Sequence, residues 1–147
     1  MTFLIDTNIL LYAANRASPQ QAVAGRFLQT HLAAGTPWCL TWGILYEFLR
    51  VSTHARVFPK PLAASQALRF LSVLLEREEV SVLVPTGRHR AVLEATLGEL
   101  SQPAGNLFHD VQTAVLMREH GVREIVTADT DFLQFPFLKV TNPLLAH

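Results

Sequence analysis

The chain has 147 residues, half of them apolar and only 16% charged, which fits one folded domain over residues 1–147 and excludes a disordered chain. Twelve Lys and Arg balance twelve Asp and Glu, so bulk charge does not announce a nucleic-acid binder. The single cysteine, Cys39, excludes an internal disulfide framework and a cysteine-based zinc cluster.

Residues 2–5 form a short apolar run ending at Asp6, the pattern of a buried strand. Residues 8–14 read as a helix that Asp6 or Thr7 can cap. Residues 19–33 have helical spacing through Val23, Phe27, Leu28 and Leu32, closed by Gly35 and Pro37 before a strand at 38–40. Thr41 can cap a helix over 42–53, with Trp42, Leu45, Phe48 and Leu49 as its apolar face. Pro61 suits the start of a helix over 62–77. A strand at 80–84 follows, then a helix over 87–100 capped by Thr86. A loop at 102–105 leads to a helix over 107–120, capped by Asn106 and ended by Gly121. Strands at 124–127 and 138–140 complete the chain. No apolar run approaches the roughly 18 residues of a membrane helix, and Asp6 and Asn8 interrupt what would be a signal peptide. The expectation is a soluble, cytoplasmic protein with no membrane partner.

Short strands alternating with helices predict an α/β fold: three layers, α/β/α, around a mostly parallel, short-stranded sheet. Sites in such sheets gather at the C-terminal ends of strands. The acids fit that geometry. Only four of the twelve are aspartates: Asp6, Asp110, Asp129 and Asp131. None is scattered through the long middle of the chain, although aspartate is ordinarily spent on turns and caps across a surface. The glutamates, Glu119 among them, fall mostly where exposed helix faces want them. Glu47 shares a helix face with Gly43, Arg50 and His54, so a surface Glu47–Arg50 pair is its plain reading. Past it, residues 50–60 carry Arg50, His54, Arg56 and Lys60 without an acid, a strip suited to a phosphate backbone. Trp42, Phe58, Phe70, Leu71 and Leu74 are candidates for an apolar association surface, with the core as the plainer place for most of them.

If strand ends and helix starts converge, the carboxylates meet on one rim. Such groups repel by about 4 kcal/mol per close pair at an effective dielectric near 20. A fold keeps them together only with a compensating cation or raised pKa values. Oxygen ligands select a hard ion, Mg²⁺ or Mn²⁺, and such ions serve phosphoryl chemistry by activating water. His109 is adjacent to Asp110 but points about 100° away on a helix, so no histidine base is required.

Four segments together resemble the motifs of PIN domains. They are Phe3-Leu4-Ile5-Asp6-Thr7-Asn8, the Glu47 helix, His109-Asp110 at a helix start, and Thr127-Ala128-Asp129-Thr130-Asp131-Phe132. The stretch from Thr41 to Arg50 and the tail from Phe135 to Leu144 are similar to VapC-type toxins. The resemblance covers nearly the whole chain in the family's order. It implies a metal-dependent endoribonuclease, the toxin of a toxin–antitoxin pair. Asp6, Glu47, Asp110 and Asp129 would be its catalytic acids, with Asp6, Asp110 and Asp129 holding Mg²⁺ or Mn²⁺. Asp131, Thr127 and Asn8 would support them, and Arg50, Arg56 and Lys60 would meet RNA. It also implies a homodimer and a small antitoxin protein that blocks the site. Two other readings stay open. One is a non-catalytic partner-binding module of the same fold. The other is an aspartate-dependent phosphohydrolase, although position 8 is Asn rather than a second acid and only Lys60 and Lys139 are lysines.

Overall fold

A computed structural model describes residues 2–145. Five strands pair in parallel in the order β3-β2-β1-β4-β5. They are β1 (Phe3–Ile5), β2 (Trp38–Thr41), β3 (Val80–Leu83), β4 (Glu124–Val126) and β5 (Lys139–Thr141). The helices around the sheet are α1 (Thr7–Ala14), α2 (Gln21–Ala34), α3 (Trp42–Ser52), α4 (Ala64–Leu75), α5 (His89–Gly98) and α6 (Leu107–Glu119). A 3-10 helix, Thr130–Gln134, joins β4 to β5.

Composition places each strand. The central β1 and its neighbour β2 are buried at every position, as continuous apolar runs in a parallel sheet require. The edge strands β3 and β5 carry the exposed residues, Ser81 and Lys139. The core closes on Leu4, Ile5, Leu40, Ile125 and Val126 from the sheet. Ile9 and Leu10 of α1, Leu45 and Phe48 of α3, and Val111, Ala114 and Val115 of α6 pack into it.

Asp6 caps α1 by accepting the Thr7 N–H at 2.8 Å, and the Thr41 hydroxyl caps α3 by accepting the Ile44 N–H at 3.1 Å. Gly121, at φ +70°, ends α6 in a Schellman turn: the Val122 N–H reaches Met117 O at 2.9 Å, and the Gly121 N–H reaches Arg118 O at 3.3 Å. That left-handed position is open to glycine at no steric cost.

Several expectations are corrected. Pro61 lies outside α4, which starts at Ala64; Gln66 Oε1 accepts the Ala63 N–H at 2.9 Å there. Thr86 does not cap α5, which begins only at His89. Its N–H and hydroxyl both donate to Glu119 Oε1, at 2.8 and 2.6 Å, and its oxygen accepts the Arg88 N–H in a turn. Asn106 is already helical in φ and ψ and its side chain makes no capping bond. Glu119 is buried rather than on an exposed face, because Thr86 and His89 close over its carboxylate. Trp42 is turned out to solvent, and α3 buries Ile44, Leu45, Phe48 and Val51 instead. Of the other candidates for an apolar surface, Phe58, Leu71 and Leu74 are core, and Phe70 stacks on Phe48 with centroids 5.1 Å apart.

Candidate active site

The strand order reverses at β1: β2 and β3 extend on one side, β4 and β5 on the other. Chain segments leaving β1 and β4 therefore diverge, and the gap beyond their C-terminal ends is where ligands bind in open α/β sheets. A cleft of about 800 Å³ opens there. Asp6 follows β1, Asp129 and Asp131 follow β4, and Asp110 lies in the first turn of α6; Glu47 and Arg50 reach the cleft from α3.

The two strand ends are locked by a polar network. Asp6 Oδ2 accepts the Thr127 hydroxyl at 2.8 Å and the Asn8 amide at 3.1 Å. The same Asn8 amide donates to Thr127 Oγ1 at 3.0 Å, which also accepts the Asp129 N–H at 3.0 Å. Asn8 Oδ1 accepts the Ala128 N–H at 3.0 Å. The buried Thr127 hydroxyl thus gives its one proton and fills both acceptor positions, which fully satisfies it. Asp129 accepts the Asp131 N–H at 2.8 Å and so caps the 3-10 helix. Both aspartates of this turn are thereby held at its head.

Asp110, Asp129 and Asp131 come together: one carboxylate oxygen from each lies within 4.8 Å of the others. Burial, then the charges of Asp129, Asp6 and Asp131, push the Asp110 carboxyl up to about 7. Burial is also the main cause that raises Asp6; the bonds from Thr127 and Thr7 oppose it, and Asp129 adds to it. These shifts mark a set of oxygens short of positive charge, which is the chemistry of a hard-cation site. The donor set fits Mg²⁺ or Mn²⁺. The oxygens that lie closest together are those of Asp110, Asp129 and the supporting Asp131. Asp6 faces the same cleft, and its carboxylate accepts bonds from Thr7, Asn8 and Thr127 while keeping lone pairs free.

Glu47 is engaged by Arg50 through both oxygens, with Nη2–Oε1 at 2.6 Å and Nε–Oε2 at 3.2 Å. The plain surface pairing is therefore present, but it stands at the cleft rim. Arg56 and Lys60 are exposed in the connection from α3 to α4 and do not line the cleft. Gln112, Thr113 and Tyr46 line it and were not singled out as site residues, and His109 lines it too, although helical spacing turns it away from Asp110. Thr113 falls one turn after Asp110, so helical spacing carried a signal for it; Tyr46 had none beyond adjacency to Glu47.

A carboxylate cleft at the switch point of a parallel α/β sheet is the arrangement of a PIN domain, and this chain belongs to that family: the PIN domain model matches residues 3–138. Among curated relatives, Ribonuclease VapC33 of Mycobacterium tuberculosis is 36% identical over 139 residues, covering 95% of this chain and 96% of the relative. Ribonuclease VapC48 of the same organism is 29% identical over 143 residues, covering 97% and 98%. Two solved structures share the fold at 20% identity. VapBC2 from Rickettsia felis, bound to a promoter DNA fragment, superposes with a TM-score of 0.69 over 97% of this chain and 98% of that one. Mycobacterium tuberculosis VapC20, described as a Sarcin-Ricin loop cleaving toxin, gives 0.66 over 95% and 99%.

Proposed function

We propose that this chain is a metal-dependent endoribonuclease and the toxin of a toxin–antitoxin pair. The observation that carries the reading is the trio of Asp110, Asp129 and Asp131, with the Asp110 carboxyl raised to about 7. The relatives named as ribonucleases, matched along almost their full length, support RNA as the substrate.

Asp6, Asp110 and Asp129 would hold the ion, with Asp131, grouped with the last two, as a further ligand. When bound, Mg²⁺ or Mn²⁺ makes a coordinated water acidic and offsets charge on the phosphate. The chain's own residues do the rest. The Asn8–Thr127 network keeps Asp6 and Asp129 in register across two strand ends. Arg50 presents a guanidinium fork matched to a phosphodiester. Once Arg50 turns to the phosphate, Glu47 is released and its carboxylate orients the attacking water. Asp6, Glu47, Asp110 and Asp129 are thus the acids assigned to catalysis, Asp131 joins them as a ligand, and Arg56 and Lys60 would meet RNA outside the cleft.

The likeness to VapC-type toxins supports two further assignments, a homodimer and a small antitoxin that covers the cleft. The test is a substrate panel of RNA, DNA and a phosphomonoester incubated with Mg²⁺, Mn²⁺ or EDTA. Internal cleavage of RNA that EDTA abolishes is the expected result. Turnover of the phosphomonoester alone, with a trapped aspartyl-phosphate, would replace the nuclease reading with a phosphohydrolase.

A further inference from the structure

Helix α6 enters the cleft with two neighbouring rows of side chains. One row carries Asp110 and Thr113. The other is Asn106, His109 and Gln112, at three-residue spacing along one ridge, and all three line the cleft. Asn106 lies one turn before Asp110 and His109 one turn before Thr113, so the second row runs beside the acid. It is about 9 Å long at the rise of an α-helix, enough to face more than one base. Among the described residues, none of its three side chains is engaged in a hydrogen bond. Asn106 makes no capping bond, the Thr113 hydroxyl reaches only the backbone oxygen of His109, and the Gln112 amide packs against Gly43.

The backbone explains why the two ends of the row are free. An asparagine at a helix start ordinarily spends its side chain on capping. Here the N–H groups of Leu107, Phe108 and His109 already donate to the carbonyls of Ala104, Gly105 and Asn106, at 3.4, 3.1 and 3.1 Å. Nothing is left for the Asn106 amide to cap, and it faces the cleft. At the other end, Gln112 lies over a bare stretch of α3. A Cβ on Gly43 would stand 3.3 Å from Gln112 Oε1, so the missing side chain gives the amide its room. Glycine inside a helix is unfavourable relative to alanine, and that room is what it provides here.

The row is neutral, which separates its task from that of the acids. The five carboxylates and Arg50 of the cleft meet an ion and a phosphate, and such contacts carry no sequence information. A carboxamide holds a donor and an acceptor side by side. That pair matches the 6-amino group and N7 of adenine. A strand whose phosphate reaches Asp110 brings its bases past this row.

We propose that Asn106 and Gln112, with His109 between them, read the bases next to the phosphodiester being cut, each carboxamide being fitted to an adenine. This inference rests on the ribonuclease reading and adds to it the residues that choose the cleavage site. The acids set where the bond breaks, and the polar row sets which sequence is held there.

Two measurements on the full chain test it. In the first, the unmodified chain with Mn²⁺ cuts an RNA with a randomised segment, and the fragment ends are sequenced. Adenine beside the cut is expected to exceed uracil about 10-fold. Asn106→Ala and Gln112→Ala are each expected to bring that ratio close to one at one position. The ratio is internal to each preparation, so a loss of folded protein does not alter it. In the second, the chain carrying Asp110→Asn is held in EDTA and followed by anisotropy of a labelled oligoadenylate. The comparison probe is the same oligomer built from purine riboside, which keeps the ring and its stacking face but lacks the 6-amino group. It is expected to bind about 10-fold more weakly, and the difference to vanish when Asn106→Ala and Gln112→Ala are added together. Equal binding of the two probes, no binding of either, a preference for another base, or an adenine preference that survives both alanine variants would overturn the proposal. Metal-dependent cleavage without base preference removes the reading row and keeps the nuclease. Base-dependent binding without any cleavage keeps the row and removes the nuclease.

Discussion

Asp110 concentrates the electrostatic problem of the cleft in one side chain. Its ordinary value would be 3.8, and burial with three neighbouring carboxylates moves it to about 7. In the metal-free protein the folded chain therefore holds a proton between about pH 4 and pH 7 that the unfolded chain has released. Stability from this group is complete below the lower value and is lost as pH rises through the upper one. Chemical denaturation in EDTA should show the Asp110→Asn variant gaining on the parent as pH is raised across that window. Proton and metal compete for the same oxygens, so calorimetric Mn²⁺ affinity should rise through pH 7. Arg50 poses the opposite case. Its pair with Glu47 is exposed, and such pairs contribute about 0–1 kcal/mol. Arg50→Ala should leave the unfolding midpoint nearly unchanged while lowering RNA cleavage, a split that separates substrate contact from structure.

At the scale of elements, two polar ties hold the layers in place, and the first decides whether the acids converge. The first joins the ends of β1 and β4 through Thr127, Asn8 and Asp6. Thr127→Val leaves buried polar partners without their bonds and should cost about 1–3 kcal/mol in denaturation. Thr127→Ser should restore most of the loss. The second tie joins the segment before α5 to the end of α6 through Glu119. Burial alone would raise that carboxyl, but the bonds from Thr86 and His89 outweigh it and hold it low. Its stabilisation is present above the ordinary carboxylate value of 4.5 and is lost as pH falls through the lower folded value. Glu119→Ala should lower the denaturation midpoint, by about 1–3 kcal/mol, without touching the cleft. The asymmetry between these ties bears on legibility. Aspartates at element boundaries announced Asp6, Asp110, Asp129 and Asp131, because that residue type is costly elsewhere in a helix or strand. Nothing local distinguished Glu119 from the exposed glutamates around it. Only the fold brings Thr86 to it from 33 residues away, and that contact also takes Thr86 from its expected cap.

The whole molecule is organised by the reversal of strand order at β1. Alternating strands and helices made the parallel sheet legible, and the five strands appear within a residue or two of their expected positions. The strand order was not legible, because periodicity shows which face is buried but not which neighbour covers it. The burial of β1 and β2 at every position, against the exposed residues of β3 and β5, is the physical trace of that order. The same topology sets the membership of the acid trio: the turn after β4 brings Asp129 and Asp131 toward α6, which spacing alone did not distinguish from Asp6. A ligand that binds only the folded chain stabilises it, by about 2.7 kcal/mol at a hundredfold excess over its dissociation constant. Mn²⁺ should therefore raise the melting temperature of the parent and leave Asp131→Asn and Asp129→Asn less affected than Asn8→Ala. The measurement that bears most directly on the central claim is cleavage of a mixed RNA pool by the purified chain beside Asp110→Ala prepared identically, each with Mg²⁺, Mn²⁺ or EDTA. Cleavage that requires metal and disappears in the variant is the predicted result. Equal cleavage by both proteins, or cleavage that persists in EDTA, would contradict the account.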